Sequence, residues 1–125
     1  MTGNEYQELA MRTNDDMSTC RLETAIDEKD ALYDLGGVIM ASLGLSGEVG
    51  ELNDMIKKWI FHQSDMDITH AKKELGDIAW YLACMAYSFG WSMDEILQMN
   101  VDKLRARYPD GFDIERATHR KAGDV

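Results

Sequence analysis

Apolar residues recur at helical spacing through most of this chain. Leu45, Val49, Leu52, Ile56 and Trp59 follow one another at alternating steps of four and three. That spacing places one apolar stripe on a helix, and it predicts a helix from about Leu35 to His62. The polar run Gln63–Asp67 breaks the pattern, and Thr69 is the expected N-cap of the next helix. There Ala71, Leu75, Ile78, Leu82, Met85 and Phe89 keep the same rhythm, and Gly90 stands where a C-cap is expected. Ser92 with Glu95 reads as a capping box opening a further helix to about Arg107, with Ile96, Leu97, Val101 and Leu104 inward. Residues 4–13 predict a short first helix carrying Tyr6, Leu9 and Ala10 on one side. Residues 14–33 lack clear periodicity and read as a long connection holding at most a turn of helix. From about Tyr108 a Pro-Asp-Gly turn signal leads into an irregular tail.

The sum of these elements is an all-α fold, a small antiparallel helical bundle of four to five helices. No composition shift or repeat marks a boundary, so residues 1–125 form one domain. The single proline and the lack of turn clusters support the helical reading. The apolar surplus on thin helices points away from a lone monomer.

Charge narrows the function classes. Thirteen Lys and Arg face 23 Asp and Glu, a net charge of −10. Such a balance argues against a nucleic acid polymer as partner, because phosphate neutralisation needs clustered cations. It argues equally against an anionic membrane surface. No apolar run reaches the length of a membrane span, and the first residues carry Glu5 and Glu8 in place of a secretory signal. Cys20 and Cys84 are too few for a disulfide framework. The expected location is cytoplasmic.

The chemistry lies in two acidic pairs on the two strongest helices. Glu48 and Glu51 form Glu-x-x-Glu, and Glu74 and Asp77 form Glu-x-x-Asp. Residues three apart share a helical face. One such pair carries little information, since chance supplies about four at this acidic content. Register raises the signal: each of the four acids immediately precedes a residue of its helix's apolar stripe. Antiparallel packing then lets the four carboxylates converge. None of them has a cation four residues later, so the like charges repel one another. Gly44, Gly47, Gly50 and Gly76 crowd the same turns. A helix-interior glycine costs about 1 kcal/mol against alanine, so these positions suggest room for close packing, a ligand or a hydrated ion. The competing reading is two solvated acidic edges.

An all-oxygen site suits magnesium, or manganese. His62, His70 and His119 show no zinc-ligand spacing, and the Glu-x-x-His of di-iron bundles is absent. An EF-hand starting at Asp65 fails at its sixth and twelfth positions. Magnesium held by a few carboxylates leaves coordination positions for substrate phosphates. Asn100, Lys103 and Arg107 form one polar face on the last long helix, and Lys57 lies beyond Glu51. These are candidate phosphate contacts, with solvated surface charge as the alternative. Tyr81 and Trp59 are candidates to stack on a base or sugar, and equally candidates for core.

The stretch GLSGEVGELNDMIKKWIFH, followed by KKELGDIAWYLACMAYSFGWSMDEILQMNVDKLRARYPDGFD, resembles the MazG-like all-α nucleoside triphosphate pyrophosphohydrolases. The match runs from about Leu43 to Asp113. The resemblance implies magnesium-dependent cleavage of a (deoxy)nucleoside triphosphate to the monophosphate and pyrophosphate, serving nucleotide-pool control. It implies Glu48, Glu51, Glu74 and Asp77 as metal ligands, and Glu48 or Glu51 as the residue that orients or deprotonates water. It further implies Asn100 and Lys103, with Arg107, on the phosphates, and a homodimer or homotetramer. The alternatives are a non-catalytic helical nucleotide-binding or adaptor protein, and a relative acting on phosphoribosyl-ATP. No P-loop motif is present.

Overall fold

A computed structural model describes residues 1–29 and 32–119. Six helices follow in chain order: α1 (Gly3–Met11), α2 (Ser18–Lys29), α3 (Leu35–Phe61), α4 (Ile68–Phe89), α5 (Met93–Arg107) and α6 (Ile114–Thr118). No strand occurs among the described residues, so the chain is all-α. No helix among them is long and apolar enough to cross a membrane.

Caps fix the two central helices. Asp34 accepts from the Gly37 amide at 3.1 Å to open α3, and Asp67 accepts from the His70 amide at 2.9 Å to open α4. The cap is thus Asp67, not Thr69; the Asp carboxylate brings its negative charge to the positive end of the helix. Gly90 ends α4 at φ 75°, the left-handed conformation that glycine adopts without steric strain. Ser92 caps α5 by accepting from the Glu95 amide.

The connection expected over 14–33 contains a full helix, α2. Its apolar residues Leu22 and Ile26 are largely exposed, so no buried stripe marks it. Local chemistry holds it instead: the Asp15 carboxylate receives the Arg21 guanidinium through two hydrogen bonds and the Met17 amide at 3.1 Å. The tail carries the short α6, capped by Asp113. Its end, 120–125, lies outside the described residues, as do positions 30 and 31.

Antiparallel α3 and α4 are the extensively packed pair. At one end of this hairpin the Asp34 amide donates to the Ser88 carbonyl at 2.9 Å. Two glycines let the helices approach: a Cβ on Gly37 would collide with Ser88 Oγ, and one on Gly44 would collide with the Tyr81 ring.

The face that packs overlaps the apolar stripe at Leu45, Leu52, Ala71, Ile78, Met85 and Phe89 and departs from it elsewhere. On α4 the less exposed positions are Ala71, Glu74, Ile78, Tyr81, Cys84, Met85, Ala86, Ser88 and Phe89; on α3 they include Ala41, Leu45, Glu48, Leu52 and Met55. Leu75 and Leu82, expected inward, are 55% and 45% exposed, and Val49, Ile56 and Trp59 are also exposed. The inward residues expected on α5 are likewise exposed. The chain therefore exposes 10188 Å², against the roughly 6,800 Å² of a compact monomer of this size. Among described apolar residues only Ala41 and Ala86 are buried.

Candidate metal centre

The same packing face carries two of the acids inward. Glu74 sits in the α3–α4 seam at 6% exposure, and Glu48 faces it half-buried from α3. Asp77, one turn after Glu74, stands exposed at the rim. Single carboxylate oxygens of Glu48, Glu74 and Asp77 all lie within 4.8 Å of one another. Glu51 is exposed and borders the same cleft as Glu74. Both acidic pairs expected from the sequence thus reach one place, with three acids gathered tightly and Glu51 beside them.

The electrostatics are those of crowded negative charge. The Glu48 pKa is raised to about 7, first by its hydrogen bond to Glu74, then by burial and by the charges of Glu51, Glu74 and Asp77. Glu74 is held below its usual range by the same bond to Glu48, against the opposing effect of burial; His70 and Glu51 add to the lowering. The opposite shifts of the two share one main cause, the close approach of these carboxylates to each other.

Two oxygens decide whether a cation fits. Glu48 Oε2 and Glu74 Oε2 are buried and take no hydrogen bond from any described group. Buried polar atoms are normally paired, and an unpaired carboxylate oxygen is costly. Hard divalent cations bind through such oxygens. The donor set, two orphaned oxygens and a third carboxylate within reach, fits that kind of ion.

Beside the acids lies an open cleft of about 450 Å³, bordered by Gly47, Gly50, Glu51, Asp54, Lys58, His70 and Glu74 among others. A Cβ added at Gly47, Gly50 or Gly76 would meet nothing within 4 Å, whereas the space above Gly44 is filled by Tyr81. Asp54 binds Lys57 at 2.9 Å and Lys58 at 2.7 Å, which pulls its pKa down to about 2. Both lysines are thereby held, and Lys58 is the one that borders the cleft.

The remaining candidates lie elsewhere. Tyr81 packs over Gly44 and meets Trp80 edge-on at 5.0 Å. Trp59 is exposed near the end of α3. Asn100 and Lys103 are exposed on α5, and Arg107 sits over the Tyr108 ring at 5.9 Å. Helix α5 does not pack extensively on the hairpin.

His70 and Asp54 join the site without having stood out as site residues by motif, whereas Lys58 is, with Lys57, a sequence candidate for phosphate. The step of four from His70 to Glu74 is the signal that could have found the first, because it stacks the two side chains on one helical face.

The MazG nucleotide pyrophosphohydrolase domain matches residues 40–112, well over half of the chain, and the chain belongs to that family. It is therefore a nucleotide pyrophosphohydrolase in general type, in a family that typically uses a divalent metal. The Gene 37 protein of Mycobacterium phage L5 is 34% identical over 80 residues, covering 60% of this chain and 69% of that protein; its name carries no activity. No solved structure matches the chain.

Proposed function

We propose that the chain is a cytoplasmic, magnesium-dependent hydrolase that cleaves (deoxy)nucleoside triphosphates to the monophosphate and pyrophosphate, for control or cleansing of nucleotide pools. The convergence of Glu48, Glu74 and Asp77 with two orphaned buried oxygens carries this reading. Glu48, Glu74 and Asp77, joined by Glu51, would hold the cation; manganese suits the same donors. When bound, such an ion neutralises polyphosphate charge and lowers the pKa of water.

The chain's own residues supply the positioning. Glu51 borders the cleft, outside the tight cluster, and would orient and deprotonate a water there. Glu48 is the other candidate for that role. Lys58 borders the same cleft, where its ammonium would draw a phosphate into an otherwise acidic site. No side-chain nucleophile is needed, since positioning and electrostatics dominate phosphoryl chemistry.

Assembly belongs to the same proposal. The excess of about 3,400 Å² per chain over a compact monomer is larger than the roughly 1,000–2,500 Å² per partner that most obligate interfaces bury, so there is ample surface for one. A homodimer or homotetramer would cover Leu75 and Leu82, and would let Asn100, Lys103 and Arg107 reach the phosphates from a packed α5. Trp59, exposed beyond Lys58, is the aromatic available to a base.

The test incubates the purified chain with each nucleoside triphosphate, and with phosphoribosyl-ATP, in magnesium and resolves the products. Monophosphate with pyrophosphate is expected. Diphosphate with orthophosphate, or no turnover on any nucleoside triphosphate, overturns the proposal.

A further inference from the structure

We infer that His70 is a positioning residue of this centre: its imidazole engages one oxygen of Glu74 and so presents the other to the cation. The inference rests on reading Glu48, Glu74 and Asp77 as metal-binding.

His70 Nε2 lies 2.8 Å from Glu74 Oε1. An ionised carboxylate only accepts, so Nε2 is the nitrogen that carries the proton and donates. The other oxygen, Oε2, is the one left buried without a partner. Glu74 thus has its two oxygens sorted, one engaged by His70 and one buried without a partner. A carboxylate on a flexible two-carbon stem would otherwise divide its time among rotamers. Hydrogen bonds that orient a ligand in this way commonly govern metal affinity.

The placement of His70 separates this role from simple support of the fold. Its side chain is 55% exposed and borders the cleft, so it contributes little packing. Its backbone amide, not its ring, closes the cap with Asp67. Removing the ring leaves that cap and the hairpin seam in place.

The experiment titrates manganese, and separately magnesium, into the nucleotide-free full chain by calorimetry. Wild type, His70→Ala, His70→Gln and Glu74→Gln are compared, with helicity checked by circular dichroism. His70→Ala should bind manganese about 10- to 100-fold more weakly. His70→Gln, whose amide can donate at similar reach, should recover most of the loss. In turnover, His70→Ala should demand more magnesium yet regain the wild-type rate at saturation. Wild-type affinity in His70→Ala, alongside lost binding in Glu74→Gln, overturns the role of His70 alone. A glutamine variant no better than alanine overturns it too. No binding by wild type removes the metal centre, and this inference with it.

Discussion

Glu48 of α3 and Glu74 of α4 meet across the helix seam, each with one buried oxygen that no described group satisfies. Two carboxylates placed like this are poor for a metal-free fold and good for a cation, and most of the expected behaviour follows from that opposition.

Replacing either acid by its amide should separate stability from activity. Glu48→Gln removes a charge from a crowded seam, so its melting temperature in chelator should equal or exceed wild type. Magnesium should raise the melting temperature of wild type and leave that of Glu48→Gln nearly unmoved. Turnover should fall at least about 100-fold in Glu48→Gln or Glu74→Gln, with far-ultraviolet circular dichroism unchanged.

The pH dependence has a definite sign. The Glu48 pKa stands at about 7 in the fold, against an ordinary 4.5. Between those values the folded chain binds the extra proton, so metal-free stability should fall as pH rises from 4.5 through 7. Glu74, shifted downward from 4.5, acts in a separate window: its contribution is present above that ordinary value and lost as pH falls through its lowered one. Cation binding must displace the Glu48 proton, so magnesium affinity should rise with pH up to about 7 and then level off. Calorimetry in buffers of different ionisation enthalpy should record the released proton.

Two glycines one turn apart should respond oppositely to alanine. At Gly44 the added methyl would strike the Tyr81 ring, and the overpacking should cost about 1–3 kcal/mol. At Gly47 the space is open, and alanine should stabilise the helix by up to about 1 kcal/mol. Because Gly47 borders the cleft, the same substitution should weaken nucleotide binding. Urea unfolding and substrate KM measure the two effects.

Leu75 and Leu82 lie two turns apart on the exposed side of α4. Light scattering should find a dimer or tetramer for wild type. Leu82→Glu should shift it toward monomer and lower its thermal stability. A wild-type monomer with normal stability would leave the exposed apolar area without a role.

Much of this is legible in the sequence, for identifiable reasons. Helices α3 and α4 announce themselves because long apolar periodicity and strong caps coincide, and Gly90 marks its own left-handed turn. The paired acids are visible by spacing. Their burial is not, because the apolar stripe at Val49, Leu75 and Leu82 turns outward while Glu48 and Glu74 turn in. A pattern records which residues avoid water somewhere, and it does not say whether the shelter comes from the same chain. Helix α2 escapes the pattern because the Asp15–Arg21 pair anchors it and no stripe does. His70 escapes because its spacing to other histidines speaks only to zinc, while its partner is the carboxylate one turn along.

The ring of Tyr81 seated on Gly44 has a consequence for the acids one turn away. Glu48 follows Gly44 by four positions and Asp77 precedes Tyr81 by four, so this joint acts as a gauge block between the helices. The spacing of Glu48 and Asp77 across the seam should depend on an aromatic ring that is no ligand at all. Ion size preference can then drift, or be engineered, by trimming that ring while every carboxylate stays as it is.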